Sequence, residues 1–197
     1  MGCVIVEGLP ELNYPAFFKH VPDNYVIKTF ELDFTQDVQK ALEDSLKEIK
    51  TLRTTPDTVT IYNRFPFPTC WAFEQQFLNL ERDSLSQTWN FFYGKIEVAL
   101  KELGASIVYV QHDRWSNYLV QTLNRSSYWR RPTDLATIRS RYERFLKHTE
   151  MPYQVVSNMF NREVVHDILD RALTSRSERP RAQAKRKQVN KQSKQER

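Results

Sequence analysis

The chain of 197 residues is 40% hydrophobic and 13% aromatic, which suits one folded α/β domain and excludes a disordered polymer. No apolar run approaches the roughly 20 residues that span a bilayer, and no secretory leader is visible, so no membrane association is expected. Cys3 and Cys70 are too few for a disulfide framework or a zinc site, so a reducing, cytoplasmic setting is expected. The net charge of +5 is uneven: residues 174–197 carry nine Lys/Arg and two Glu, +7, which leaves the other 173 residues with 20 basic and 22 acidic side chains, −2.

Cys3-Val4-Ile5-Val6 is a short, mostly β-branched apolar run, and it predicts a fully buried strand of a parallel sheet. Glu7-Gly8 bounds it. The chain then runs through Leu9 to Asn13 into a helix whose first turn accepts Pro15. A strand, a loop opening at glycine and a helix form the frame in which many proteins cradle phosphate. The full motif, Gly-x-x-x-x-Gly-Lys-Ser/Thr, uses backbone N–H groups, a lysine charge and a magnesium-binding hydroxyl. Counted from Gly8, the second glycine is Asn13, the lysine is Tyr14 and the hydroxyl residue is Pro15. Asn13 can adopt left-handed backbone angles. Tyr14 and Pro15 supply neither the charge nor the metal ligand.

Asn24 to Phe30 predicts a second strand, and Val38, Ala41, Leu42, Leu46, Ile49 and Leu52 recur at helical spacing after a cap at Thr35. Thr58 to Tyr62 predicts a third strand ending on Asn63-Arg64. The Pro-broken aromatic segment from Phe65 to Trp71 leads toward a helix over Ala72 to Leu80. Trp89, Phe92, Ile96 and Leu100 share a face of the next helix, which Gly104 closes. Ala105 to Val110 predicts a fourth strand, followed by a helix over Asp113 to Tyr128 and a cationic corner at Arg125, Arg130 and Arg131. A helix carrying Leu135, Ile138, Tyr142, Phe145 and Leu146 comes next. A fifth strand at Tyr153 to Ser157 and a helix lined by Val164, Val165, Ile168, Leu169 and Leu173 complete the folded part. Alternating strands and helices predict a three-layer α/β fold, a five-stranded parallel sheet covered by helices on both faces. The domain is expected over 1–173 and a disordered basic tail over 174–197.

The order of elements and several local sequences resemble the thymidylate kinase and nucleoside monophosphate kinase family of P-loop proteins. Val4 to Gly8 is similar to that family's first strand and loop entry, here with a degenerate phosphate loop at Gly8, Asn13 and Tyr14. Ile61-Tyr62-Asn63-Arg64-Phe65 is similar to its third strand, which ends in Asp-Arg-aromatic. Arg125 to Arg131, followed by Arg141 to Phe145, is similar to its arginine-bearing lid and the helix after it. The resemblance covers roughly residues 3 to 173.

The resemblance implies that Arg64 grips the acceptor phosphate and that Arg125, Arg130 or Arg131 stabilises the transferred phosphoryl group, with ATP and Mg2+ as cofactors wherever transfer occurs. A planar guanidinium at a strand's carboxyl end suits the first role. The matching aspartate is Asn63, so a negative charge is lost beside it. Asn63, Phe65, Phe67 and Trp71 are the expected substrate-binding residues, the rings as stacking surfaces for a base. The competing reading of the rings is core, and that of Arg64 is a strand-end ion pair. His112-Asp113 has no accompanying nucleophile, and Cys70 has no neighbouring base.

The tail, through Arg181, Lys185, Arg186 and Lys187, is expected to bind nucleic acid phosphate. Two functions therefore stand: a nucleotide kinase acting on a free nucleotide or on DNA, and a non-catalytic scaffold that binds nucleotide, nucleic acid or a protein. A homodimer is compatible with both. Phages carry nucleotide kinases, so a viral protein in a host cell fits the same expectation. No Gly-x-Gly-x-x-Gly follows any strand, which argues against a dinucleotide-binding enzyme.

Overall fold

The structure, a computed structural model, describes residues 2–10, 14–31, 33, 35, 37–52, 58–73, 89–125 and 131–174. Five strands, β1 (Gly2–Gly8), β2 (Val26–Thr29), β3 (Val59–Asn63), β4 (Ser106–Gln111) and β5 (Tyr153–Ser157), form one sheet in the order β2-β3-β1-β4-β5. Every pairing is parallel. As its apolar run predicts, β1 is central and buried along its length, with Val4 opposite Ile61 and Ser106.

Helices cover both faces. Side chains alternate along β1, so Gly2, Val4 and Val6 face one layer and Cys3, Ile5 and Glu7 the other. The C-terminal helix α7 (Arg162–Thr174) lies on the first face. It comes so close that a Cβ on Gly2 would sit 2.4 Å from Leu173 Cδ2. On the second face, α6 (Pro132–His148) packs on α3 (Pro66–Ala72), and α2 (Val38–Leu52) lies against α3 and α4 (Glu97–Glu102). The short α1 (Tyr14–Phe18) follows β1, with Pro15 in its first turn as expected, and α5 (Trp115–Arg125) follows β4.

Local chemistry moved several boundaries. Helix α2 is capped by Asp37, whose Oδ1 accepts the Lys40 N–H at 3.1 Å. The expected cap, Thr35, instead closes a small loop, its hydroxyl donating to Asp33 Oδ1 at 2.7 Å. Helix α3 falls on the proline-rich segment itself and is broken at Phe67, whose φ of −118° and ψ of 126° are extended, and the Phe67–Pro68 bond is cis. The expected continuation through Leu80 lies outside the described residues. A π-helical turn over Phe92–Ile96 leads into α4. Gly104 ends α4 with φ 67°, its N–H bonded to Lys101 O at 2.9 Å and the Ala105 N–H to Leu100 O at 2.8 Å, the Schellman pattern expected of that glycine. On α7 the buried stripe is Val165, Ile168, Leu169 and Ala172, while Val164 faces solvent. The basic tail lies outside the described residues. None of the described helices is long and apolar enough to cross a membrane.

Between sheet and helices lies an aromatic core. Phe67 stacks on Phe92 at 4.3 Å between centroids and meets Phe145 edge-on at 5.9 Å. All three rings are fully buried. Phe67→Ala should therefore lower unfolding free energy by about 3–5 kcal/mol in urea titration, and Val164→Ala by less than about 0.5 kcal/mol. Equal effects would contradict the packing described.

Candidate functional site

The carboxyl edge of the sheet is organised by an acid at the end of its central strand. Glu7 is 1% exposed, and its carboxylate receives three groups from two other elements and a turn. The Phe65 N–H donates to Oε1 at 2.7 Å, the Tyr142 hydroxyl to Oε2 at 3.0 Å, and the Thr69 hydroxyl to Oε2 at 2.9 Å. Burial pushes its pKa up from 4.5 to about 7, against the lowering effects of the nearby Arg64 guanidinium and these donors.

Arg64 immediately follows β3 and sits at φ 65°, a left-handed conformation that side-chain-bearing residues rarely adopt. Its N–H bonds to Val6 O at 2.9 Å and the next N–H bonds to Glu7, so β1 dictates the turn. The guanidinium lies over the Phe73 ring at 5.5 Å. Nη1 donates to Gly8 O at 3.3 Å and Tyr142 Oη at 3.4 Å, and Nη2 to Leu9 O at 3.5 Å. These are long contacts, and an ionised oxygen forms shorter, stronger ones. Arg141 fixes the far end of α3, donating to Trp71 O at 3.0 Å and Ala72 O at 3.4 Å.

Beside this network, Leu9, Tyr109, Gln111, His112, Trp115 and Arg139 line a cavity of about 140 Å³ at the end of β4. His112 closes a turn there, its Nδ1 accepting the Arg114 N–H at 3.1 Å. Cys70 is fully buried, and burial pushes its thiol up, so it offers no nucleophile.

Of the expected site residues, Arg64, Asn63 and Gly8 do meet at the carboxyl edge. Asn63 lies on the Val6 face, its amide 3.5 Å from Thr29 Oγ1. Phe65 and Phe67 are corrected to core: both are fully buried, Phe65 edge-on to Tyr62 at 5.1 Å and Phe67 sandwiched by Phe92 and Trp71. No ring face is left for a base. Trp71 is half-buried against Trp89, 4.7 Å away.

Tyr14 opens α1 without the charge of a phosphate lysine, and Asn13 lies outside the described residues. Arg125 ends α5, Arg130 lies outside the described residues, and Arg131 is the exposed residue before α6. Eleven residues separate Arg131 from Tyr142, about 16 Å along a helix, so the structure does not bring Arg131 to the Arg64 network. Arg181, Lys185, Arg186 and Lys187 lie outside the described residues. The resemblance puts Tyr14, Pro15 and Asn63 where ATP phosphates and magnesium would be held, and the chemistry of these three residues does not fit that pair in the usual way. Sequence reasoning missed Glu7, Thr69 and Tyr142. The one signal available was an acid placed directly after a run with the pattern of a strand buried on both faces.

A five-stranded parallel sheet in this order, covered by helices on both faces, is a fold that solved kinase structures share. Three solved structures share it. YorR from Bacillus subtilis, in complex with phosphorylated GDP, is 16% identical at a TM-score of 0.52, over 85% of this chain and 94% of that one. Polyphosphate kinase 2 from Arthrobacter aurescens TC1 is 19% identical at 0.56, over 96% and 76%. Deoxyadenosine kinase from M. mycoides with bound dATP is 12% identical at 0.52, over 85% and 98%. The likeness establishes the fold. By sequence, the chain matches no family model and no curated protein.

The raised Glu7 pKa has a consequence for stability. The folded protein keeps a proton up to about pH 7 that the unfolded chain releases near 4.5. The stabilisation is complete below pH 4.5 and is lost as pH rises through 7, with a slope approaching ~1.4 kcal/mol per pH unit. Glu7→Gln should remove this component, flattening stability against pH between 5 and 7 in urea titrations. Equal slopes in the two proteins would contradict the assignment.

Proposed function

We propose that this chain is a nucleotide kinase-like protein of the thymidylate kinase type whose working half is the acceptor side, where Arg64 binds the phosphate of a (deoxy)nucleotide. One observation carries the reading: the Arg64 guanidinium stands at the carboxyl end of β1 and β3, and its contacts there to Gly8 O, Tyr142 Oη and Leu9 O, 3.3 to 3.5 Å, are longer than those it would make to a phosphate. The strand-end position is where open parallel sheets bind ligands. The fold shared with YorR and deoxyadenosine kinase, whose structures hold phosphorylated GDP and dATP, supports a nucleotide as ligand.

Transfer of a phosphoryl group needs charge neutralisation that Tyr14, Pro15 and Asn63 do not supply. Binding, rather than transfer, is therefore what the geometry supports best. The second reading, an active kinase with a rebuilt donor site, is favoured by the fold. In that reading ATP and Mg2+ are the cofactors, and lid arginines from among Arg125, Arg130 and Arg131 complete the site.

Arg64→Ala should weaken nucleoside monophosphate binding by about 10- to 100-fold in calorimetry, the loss of one charge-assisted contact set. Lys47→Ala on the exposed face of α2 should leave it unchanged. Affinity unchanged by Arg64→Ala would remove the acceptor assignment. Labelled Mg-ATP then separates the two readings: transfer to a nucleotide or to DNA that Arg64→Ala abolishes identifies a kinase, and no transfer from a protein that binds identifies a scaffold.

For the tail, we propose sequence-independent contacts to nucleic acid. Replacing Arg181, Lys185, Arg186 and Lys187 with alanine should reduce the slope of log affinity against log salt by about 3 to 4 for DNA. An unchanged slope would dismiss the tail as a nucleic-acid contact.

A further inference from the structure

A second cluster of cations lies away from Arg64, on the opposite face of the sheet. The loop after α1 and the first two turns of α7 enclose a cleft of about 470 Å³, lined by Lys19, His20, Asp23, Arg162 and His166. Its size is that of small-molecule sites. The walls are held by the Phe17–Phe160 ring contact, 5.1 Å between centroids, and by Asn161, whose Oδ1 caps α7 on the Val164 N–H at 2.9 Å.

The charges in this cleft are not spent on the protein. Among the described residues, Lys19 and Arg162 make no ion pair and donate no side-chain hydrogen bond, and Asp23 is bonded to neither. Of the acids on α7 nearby, Asp167 is taken by Arg171 at 2.5 Å, and Glu163 lies in the exposed first turn. Lys19, Asp23 and Arg162 are exposed and His20 and His166 half-buried in the lining, and with two cations against one acid the cleft favours an anion. Lys19 offers a point charge, Arg162 a planar fork and the two imidazoles further N–H donors, a set suited to several oxygens of linked phosphates. A single carboxylate would leave most of it unused.

We propose that this cleft is a second phosphate site, which takes a run of two or more linked phosphates and is separate from the acceptor site at Arg64. The run comes either from the polyphosphate chain of a free nucleotide or from a nucleic acid backbone.

The chain has four histidines, His20, His112, His148 and His166, and none in the basic tail, so imidazole NMR resonances report on the cleft without interference from the tail. Tripolyphosphate added to the full chain should shift His20 and His166 saturably and leave His112 and His148 in place. Lys19→Glu with Arg162→Glu should raise the concentration required by about tenfold or more. Arg64→Ala should not change it, which separates this site from the acceptor assignment. A short oligothymidylate that moves the same two imidazoles identifies a nucleic acid backbone as the source; a response to tripolyphosphate alone identifies a free nucleotide. Circular dichroism checks that the double variant is folded. The proposal is overturned if neither probe moves His20 and His166, or if the folded double variant responds at the same concentrations as the parent.

Discussion

The carboxyl edge of this protein depends on one buried acid. Glu7 ends the central strand, where a charged group loses all contact with water, and such a loss is tolerated only when other groups replace it. The replacements come from the turn after β3, from α3 and from α6, segments 58 to 135 residues away along the chain. One carboxyl therefore fastens three elements to the end of β1. Burial outweighs both the neighbouring guanidinium and the three donors, so the group is poised near neutrality. A fully satisfied buried network of this kind fixes one arrangement, because any slip leaves a polar group unpaired.

Arg64 follows from the same constraint. Its N–H is committed to Val6 O and the next N–H to Glu7, which forces a left-handed residue between them. Glycine would adopt that conformation at no steric cost. Arginine is there instead, and its fork caps the carbonyls of Gly8 and Leu9 where a phosphate loop would begin. The direction of the guanidinium is set by the backbone as well as by its rotamer. Arg64 is thus built into the network of the carboxyl edge, while Tyr14 and Pro15, which open the short helix after β1, bring neither a lysine charge nor a side-chain hydroxyl of Ser or Thr.

The succession of strands and helices along the chain was legible in the sequence because hydrophobic period and glycine punctuation are local signals, whereas the order of strands in the sheet was not. Cys3 to Val6 was visibly a buried strand, and Gly104 a helix end. Where two local signals competed, the one farther from the helix misled: Thr35 has a capping side chain, but Asp37, directly before the apolar stripe, holds the Lys40 N–H. The sequence placed the helix after the Pro-rich segment rather than on it, because this helix is short, rich in proline and stabilised by burial rather than propensity. Phe65 and Phe67 looked available for a base because sequence does not show which neighbours cover a ring. Glu7, Thr69 and Tyr142 were unreadable as a set, since only the folded chain brings them together.

The two cationic regions are separated by the sheet itself. Alternation along β1 turns Glu7 toward α6 and Val6 toward α7, so the Arg64 network forms on one side, while the cleft of Lys19 and Arg162 lies beside α7 on the other. A slip of one residue in β1 would exchange the faces and bury Glu7 under α7, which presents Val165, Ile168 and Leu169 to the core and no donor for a carboxylate. The register that buries the apolar stripe is therefore the same one that gives Glu7 its partners and Arg64 its turn. Fold and candidate site are specified by a single alignment of strands, and the site persists for as long as the core does.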